Sequence, residues 1–399
     1  DVTMGQIVDR SRPGKKGKFA PWIRRMCGPV ALASFLMYAT YFKGMPMGFK
    51  IFWMFFTYLL WGSICYTGVN IPYGSMASAI SENPTDRASL SNWRTIGATL
   101  AQTVIGVVLP LAVYYTDAAG NKVLSGEKMM IGALVCSIGA VICYMLCYHM
   151  TTERVKVEQN TQKFSFKELI SEIAHNKALI GIIVCALLFL LAQLSLSNMN
   201  NYIYPNYFGN VSAMSLANLA GMVVILVLST FIVKLSAKVG KKELSVIGSI
   251  ISAAAFLILF FIHTDNVWVW IVLVLISSVG TAMFNMVIWA MITDVIDDSE
   301  VRTGVRQDGT IYSVYSFARK LGQACSSGIS GVLLSIIGYT AATAHDPKVV
   351  DGIYNVTCLV PALGMILLFL ALQFLYPLNK KRVEENAKIL KERREAKVQ

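Results

Sequence analysis

Residues 178–204 read ALIGIIVCALLFLLAQLSLSNMNNYIY, a run without one charged side chain. A backbone that crosses hydrocarbon has to satisfy its own hydrogen bonds, and an apolar run of about 20 residues does so as a helix. Further long apolar runs tile the chain at 22–42, 51–80, 95–116, 129–150, 213–233, 244–263, 268–293, 310–338 and 353–377. Of the 399 residues, 55% are hydrophobic and 15% are charged. A soluble domain is nearer about 25% charged. The pattern predicts an all-α membrane protein with ten complete spans.

The charges sit between the runs and on alternate sides. Thirty of the 35 Lys and Arg fall in the segments 10–25, 87–94, 154–177, 234–242, 302–320 and 380–397. The intervening segments hold only Lys43, Lys50, Lys122, Lys128 and Lys348. By the positive-inside rule the rich side is cytoplasmic and so is the C-terminus. The net charge of +12 is then topology and contact with anionic membrane lipid, which argues against nucleic acid as a partner. The tail NKKRVEENAKILKERREAKVQ reads as a solvated helix near lipid headgroups.

The opening DVTMGQIV is apolar, too short to cross a membrane and begins without Met, so we expect an N-terminally truncated sequence; two helices before Val2, with this stub closing the second, would make six plus six around the link that follows. The charged link 151–177 then divides a truncated N-terminal helix bundle (1–150) from a six-helix C-terminal bundle (178–377), with a cytoplasmic tail at 378–399. Basic turns recur at 9–18 (DRSRPGKKGK) and 234–244 (KLSAKVGKKEL). Repeated halves are typical of secondary transporters, which bind substrate near the midplane between them.

Polar residues inside the apolar runs carry the chemistry. Lys320 lies about ten residues into its span, roughly 15 Å along the helix. Left facing lipid it would cost at least about 2.5–3.5 kcal/mol, so it should face a partner or a wet cavity. Snorkelling toward the cytoplasm is the competing reading. Ser313, Ser316, Lys320, Gln323 and Ser327 share one face at helical spacing, and Arg319 stands about 100° off it. Thr67 and Asn70 share a face ahead of Pro72, which should kink or loosen their helix. Hydroxyls, amides and freed carbonyls are ligands for a cation or a sugar; helix-to-helix hydrogen bonding is the plainer role. Arg94, early in its span, is either a substrate ligand through its guanidinium fork or an interface anchor. Asp294, Asp297 and Glu300, with Arg302 and Arg306 close by, read as salt-bridge partners for Arg10 and Arg87 in the other half, an inner gate rather than a metal site.

Other chemistries find no support. His149, His175, His263 and His345 have no ligand spacing, and Cys143 and Cys147 read as buried thiols. No G-x-x-x-x-G-K-[ST] loop points to ATP, and the short outer loops leave no room for a membrane-embedded enzyme's active site. We expect a non-enzyme without cofactor or bound metal.

VNIPYGSMASAISENPTDRASLSNWR (69–94) and TDVIDDSEVRTGVRQDGTIYSVYSFARKLGQA (293–324) closely resemble the glycoside–pentoside–hexuronide:cation symporters of the major facilitator superfamily, and 1–23 resembles the end of that family's second helix and its basic loop. The nearest branches are melibiose-permease-like and xyloside- or glucuronide-permease-like. The resemblance implies two six-helix bundles and uptake of a sugar with inward Na⁺, H⁺ or Li⁺ by alternating access. Asp1 falls on a cation-binding carboxylate and Thr67 on a cation-ligand position. Arg94 falls on a sugar-binding Arg, and Lys320 on a Lys close to both sites. Arg87, Arg306, Asp294, Asp297 and Glu300 fall on the cytoplasmic charge network. In melibiose-type carriers an Asp stands where this chain has Asn70, an aromatic where it has Gly74, and a Trp where it has Asn285. These departures turn the expectation away from α-galactosides.

The expected site is thus Asp1 and Thr67 for the cation, with Asn70, Arg94, Asn285, Ser316 and Lys320 for the sugar. The protein is expected as a monomer, multi-pass in the cell membrane. A carrier of the same fold that moves a lysolipid or another non-sugar solute is the alternative.

Overall fold

The computed structural model describes residues 1–14, 16–116, 122–155, 176–340, 343 and 346–396. Residues 156–175, most of the expected link 151–177, lie outside them, as do His175 and His345. Among the described residues the chain is helical almost throughout. Helix α1 is Val2–Arg10, α2 Ala20–Met37, α3 Met47–Ile80, α4 Pro84–Val113 and α5 Gly126–Met150. A short antiparallel hairpin, β1 (Tyr114–Thr116) with β2 (Lys122–Leu124), separates α4 from α5. Then follow α6 Lys177–Tyr207, α7 Val211–Val239, α8 Lys241–Ile262, α9 Val267–Thr303, α10 Asp308–Ile336, α11 Pro347–Leu375 and α12 Lys380–Ala396.

Local chemistry explains where these helices start. Asn176, Asn210 and Asn266 each accept a backbone N–H two or three residues on, which occupies donors that the first turn leaves open. Helix α9 ends at Gly304, whose φ of 76° suits a residue without a side chain.

The expected spans overlap helices, the run 95–116 only as far as Val113, beyond which Tyr114–Thr116 form β1. Seven, α3, α5, α6, α7, α8, α9 and α11, are long and apolar enough to cross a membrane. The other three expected spans coincide with α2, α4 and α10. Their polar content is higher: α2 carries Arg24 and Arg25, α4 Asp86, Arg87 and Arg94, and α10 Arg319 and Lys320. The outer faces are apolar. On α7, Leu216, Leu219, Val223, Val227 and Phe231 are exposed at spacings of three and four, one continuous stripe suited to lipid.

The described chain forms two compact units, and neither is a continuous half. The first holds Asp1–Glu82, Gly97–Gln162 and Arg306–Val314; the second holds Asn83–Ile96, Lys163–Val305 and Tyr315–Gln399. The opening of α4 therefore packs in the second unit, and the opening of α10 in the first.

In the first unit, Val8, Phe19, Ile23, Met76 and Ala79 form a buried cluster that ties α1, α2 and α3 together. Gly5 of α1 lies so close to α10 that a Cβ there would overlap Ser313 and the carbonyl of Gly309. In the second unit, α8 and α9 meet backbone to backbone at Gly248 and Gly280, and the hydroxyls of Ser252 and Ser277 are 2.6 Å apart. Small residues allow such close approach where lipid supplies no hydrophobic drive between helices.

Candidate functional site

In the first unit the start of the chain meets the middle of α3. The Thr67 hydroxyl donates to Asp1 Oδ1 at 2.8 Å, and Thr67 is 3% exposed. Just before it, Leu60–Cys65 winds as a π-helix, a local loosening that recurs at functional sites. The irregular stretch thus precedes Pro72, which sits inside the regular helix Tyr66–Ile80. Pro72 has no N–H, so the carbonyl four residues back loses its helical donor. Asn70 is half-buried one turn beyond Thr67. A carboxylate, a hydroxyl and this backbone carbonyl are all oxygen donors, the ligand type that hard cations take.

Gly74 has a partner that the sequence did not suggest. The ring of Tyr312, itself fully buried, lies against it where any Cβ would go.

The charged end of this unit is built on Asp9 and Asp308. Asp9 accepts the backbone N–H groups of Gly309 and Thr310 at 2.8 and 2.7 Å, a carboxylate at the positive end of α10. Asp308 accepts from Ser78 and pairs with Arg306 at 2.9 Å, and Arg306 also donates to the carbonyl of Ser78 at 3.2 Å. Glu153 takes the backbone N–H of Lys18, Phe19 and Ala20 at the head of α2. Burial pushes the Lys18 ammonium below its ordinary value, against the pull of Asp9 and Asp308. Arg10 follows Asp9 at the end of α1.

In the second unit Arg87 of α4 pairs with Asp297 of α9, as the charge pattern implied. The neighbouring acids have partners that the charge pattern did not name. Asp294 pairs with Lys241 at 2.6 Å, and Glu300 pairs with Arg394 of the tail at 3.3 Å. Asp298 accepts from Arg382 at 3.2 Å and Asn386 at 3.1 Å. The tail is thus held on the end of α9 rather than merely solvated, and its own Leu390 is buried. Ser91 donates to the carbonyl of Met286, and Asn92 to that of Ser229 at 2.8 Å, so the first turns of α4 are also bonded to α9 and α7.

Arg94 is half-buried and lies against an aromatic ring. Its guanidinium carbon lies 3.7 Å from the centre of the Trp289 indole. Arg319 lies 4.9 Å from the same ring and donates to the Tyr315 hydroxyl at 3.2 Å. Asn285 is half-buried one turn before Trp289. Along α10 the polar stripe opens progressively. Ser313 is fully buried and packed on Gly5, Ser316 is buried, Lys320 half-buried and Gln323 exposed. The Ser327 side chain lies outside the described residues. Lys320 is therefore not sealed among neighbours.

Asp9, Lys241, Trp289, Arg382 and Arg394 complete these clusters and were not singled out in the sequence, whereas Asp308 and Arg319 were noted there without a place in the site. The signals were faint: Asp308-Gly309-Thr310 is a helix-start pattern, and Lys241 follows a glycine that opens a helix.

The model of the family described as MFS/sugar transport protein matches residues 1–380. The uncharacterized symporter YjmB of Bacillus subtilis (strain 168) is 31% identical over 383 residues, covering 95% of this chain and 81% of the relative. The glucuronide carrier protein homolog of Escherichia coli (strain K12) is 30% identical over 396 residues, covering 96% and 82%. The solved structure of the major facilitator transporter FucP superposes with a TM-score of 0.66 at 13% identity, covering 94% of this chain and 86% of that one, which bears on the fold alone. With apolar helices long enough to cross a bilayer, this chain belongs to the MFS/sugar transport family, the symporter-like branch of the major facilitator superfamily that its loop motifs resemble.

Proposed function

We propose that this protein is a secondary active transporter that carries a glycoside, pentoside or hexuronide together with Na⁺ or H⁺ by alternating access. The observation that carries the coupling is the Asp1–Thr67 pair, a carboxylate and a buried hydroxyl 2.8 Å apart beside a π-helical turn. Asn70, Arg94, Asn285, Ser316 and Lys320 would hold the sugar. A relative named as a glucuronide carrier homolog supports the cargo class.

Neutralisation of the carboxylate by the cation lowers the cost of moving the loaded site across the hydrocarbon. One charge moving down 100 mV supplies about 2.3 kcal/mol, roughly a 50-fold sugar gradient at one cation per sugar. The ion pairs Arg87–Asp297 and Arg306–Asp308 would hold the charged end shut in one state and part in the other. By its charge asymmetry that end and the C-terminus face the cytoplasm, and the membrane is the cell membrane. The protein works as a monomer among lipids, without a cofactor.

The test is uptake into proteoliposomes of labelled glycosides, with and without an inward Na⁺ or proton gradient. We expect one gradient to stimulate uptake and Thr67→Val to shift that stimulation to higher cation concentration. Uptake that ignores both ions and the substitution would overturn the coupling.

A further inference from the structure

Lys16 and Arg24 reach the same ring. The Lys16 ammonium lies 4.5 Å from the centre of Tyr148, and the Arg24 guanidinium carbon lies 5.7 Å from it. We propose that this ring and its two cations form the headgroup site of one anionic phospholipid, seated on α2 and α5 of the first unit. The site needs only a chain embedded in lipid and stands whatever the cargo is.

Charge at this end is one-sided. Arg12, Lys16, Arg24, Arg25 and Arg154 are exposed. Residues 10–30 hold no acid, and 140–155 hold only Glu153. Glu153 is already engaged by the backbone N–H groups of Lys18, Phe19 and Ala20. Among the described residues neither Lys16 nor Arg24 has a carboxylate partner. An aromatic face attracts a cation without cancelling its charge. A phosphodiester cancels it, and its two free oxygens can take one cation each.

Depth fits a headgroup. Arg24 is the fifth residue of α2 and Tyr148 the third from the end of α5. Both thus lie within about 6 Å of a helix end. Tyrosine suits that level, with an apolar body and a wet tip, and long basic side chains rise from it to the phosphates.

Shape separates a lipid from a free phosphate. Arg24, Gly28 and Leu32 recur every four residues on α2 and are all exposed, so one helix face passes from cation to hydrocarbon. A Cβ on Gly28 would meet nothing within 4 Å, which leaves a notch one turn along from the guanidinium. Helix α5 packs against α2 and shows its own apolar stripe, Ile138, Ile142 and Leu146. An acyl chain fills the notch and covers the apolar side chains. A free phosphate ester uses only the cations.

The experiment is native mass spectrometry of the purified full chain, titrated with phosphatidylglycerol or with phosphatidylcholine of the same acyl chains. We expect one phosphatidylglycerol to bind at least about tenfold tighter, since each basic residue beside an anionic headgroup is worth about fivefold. Arg24→Gln should lower that ratio, and Lys16→Gln added to it should bring the ratio toward one. Arg25→Gln removes an equally exposed cation about 100° further around α2 and should leave the ratio unchanged. Gly28→Leu fills the notch and should weaken both lipids while keeping their ratio. All four positions are exposed, and an unaltered melting temperature reports the fold of each variant. Equal binding of the two lipids by the parent, or a loss from Arg25→Gln as large as that from Arg24→Gln, would mean diffuse attraction and overturn the site. Displacement of the bound phosphatidylglycerol by an equal concentration of glycerol 1-phosphate, or binding indifferent to Gly28→Leu, would overturn the lipid as its occupant.

Discussion

Arg87 and Asp297 stand 210 positions apart in the chain and pair side chain to side chain, with exposures of 1% and 7%. Breaking a buried pair from one side leaves a bare charge and costs about 3–5 kcal/mol, whereas removing both partners is far milder. We therefore expect Arg87→Gln to lower the melting temperature of the purified protein sharply, and Arg87→Gln with Asp297→Asn to recover most of the loss. A double variant no better than the single would show that the pair is not the source of the effect.

Gly74 is expected to tolerate nothing larger. A methyl group there would lie within the Tyr312 ring, which is completely buried. Overpacking of this kind typically destabilises by about 1–3 kcal/mol. Gly74→Ala should lower thermal stability, and Tyr312→Ala added to it should relieve the clash. Equal stability of Gly74→Ala and the parent would mean that the ring moves aside freely.

Thr67 tests the cation reading against the structural one. Thr67→Ser keeps the hydroxyl that donates to Asp1 and should keep ion-stimulated uptake; Thr67→Val removes it. If the hydroxyl is a ligand, the Val variant should need about tenfold more cation for half-stimulation, with its melting temperature little changed, since a net hydrogen bond is worth about 1 kcal/mol. A stability loss with an unaltered cation requirement would assign Thr67 to packing.

The tail contact predicts an asymmetry. Asp298 is 5% exposed and accepts from both Arg382 and Asn386, whereas the Arg382 side chain is half-exposed. Asp298→Ala should loosen α12 by about 1–3 kcal/mol, because a buried donor loses its acceptor. Arg382→Ala should cost less than about 1 kcal/mol, as exposed ion pairs do. Hydrogen exchange across Lys380–Ala396 reads the difference, and equal protection in the two variants would contradict it.

Much of this was legible before any coordinates. Long apolar runs fix helices because lipid leaves the backbone no alternative, and the runs at 178–204 and 268–293 lie on α6 and α9. Arg87 with Asp297 was within reach because charges are scarce in such a chain and buried ones need partners. Gly74 shows the limit. Periodicity tells which face of a helix a residue occupies but not which helix covers it, so a glycine reads as a loss until Tyr312 is seen filling the space. Arg319 is the same lesson reversed. It stood outside the stripe through Lys320, yet that offset aims it at Trp289. The tail looked solvated because its composition is that of any charged helix; only the carboxylates at the end of α9 give it a seat.

The first compact unit includes residues 306–314, which are made long after its other helices. Translation at about 5–20 residues per second separates residue 150 from residue 314 by roughly ten to thirty seconds. For that interval Gly5, Asp9 and Ser78 await the peptide that will cover them, so the nascent bundle has to persist incomplete in the bilayer until residues 306–314 emerge.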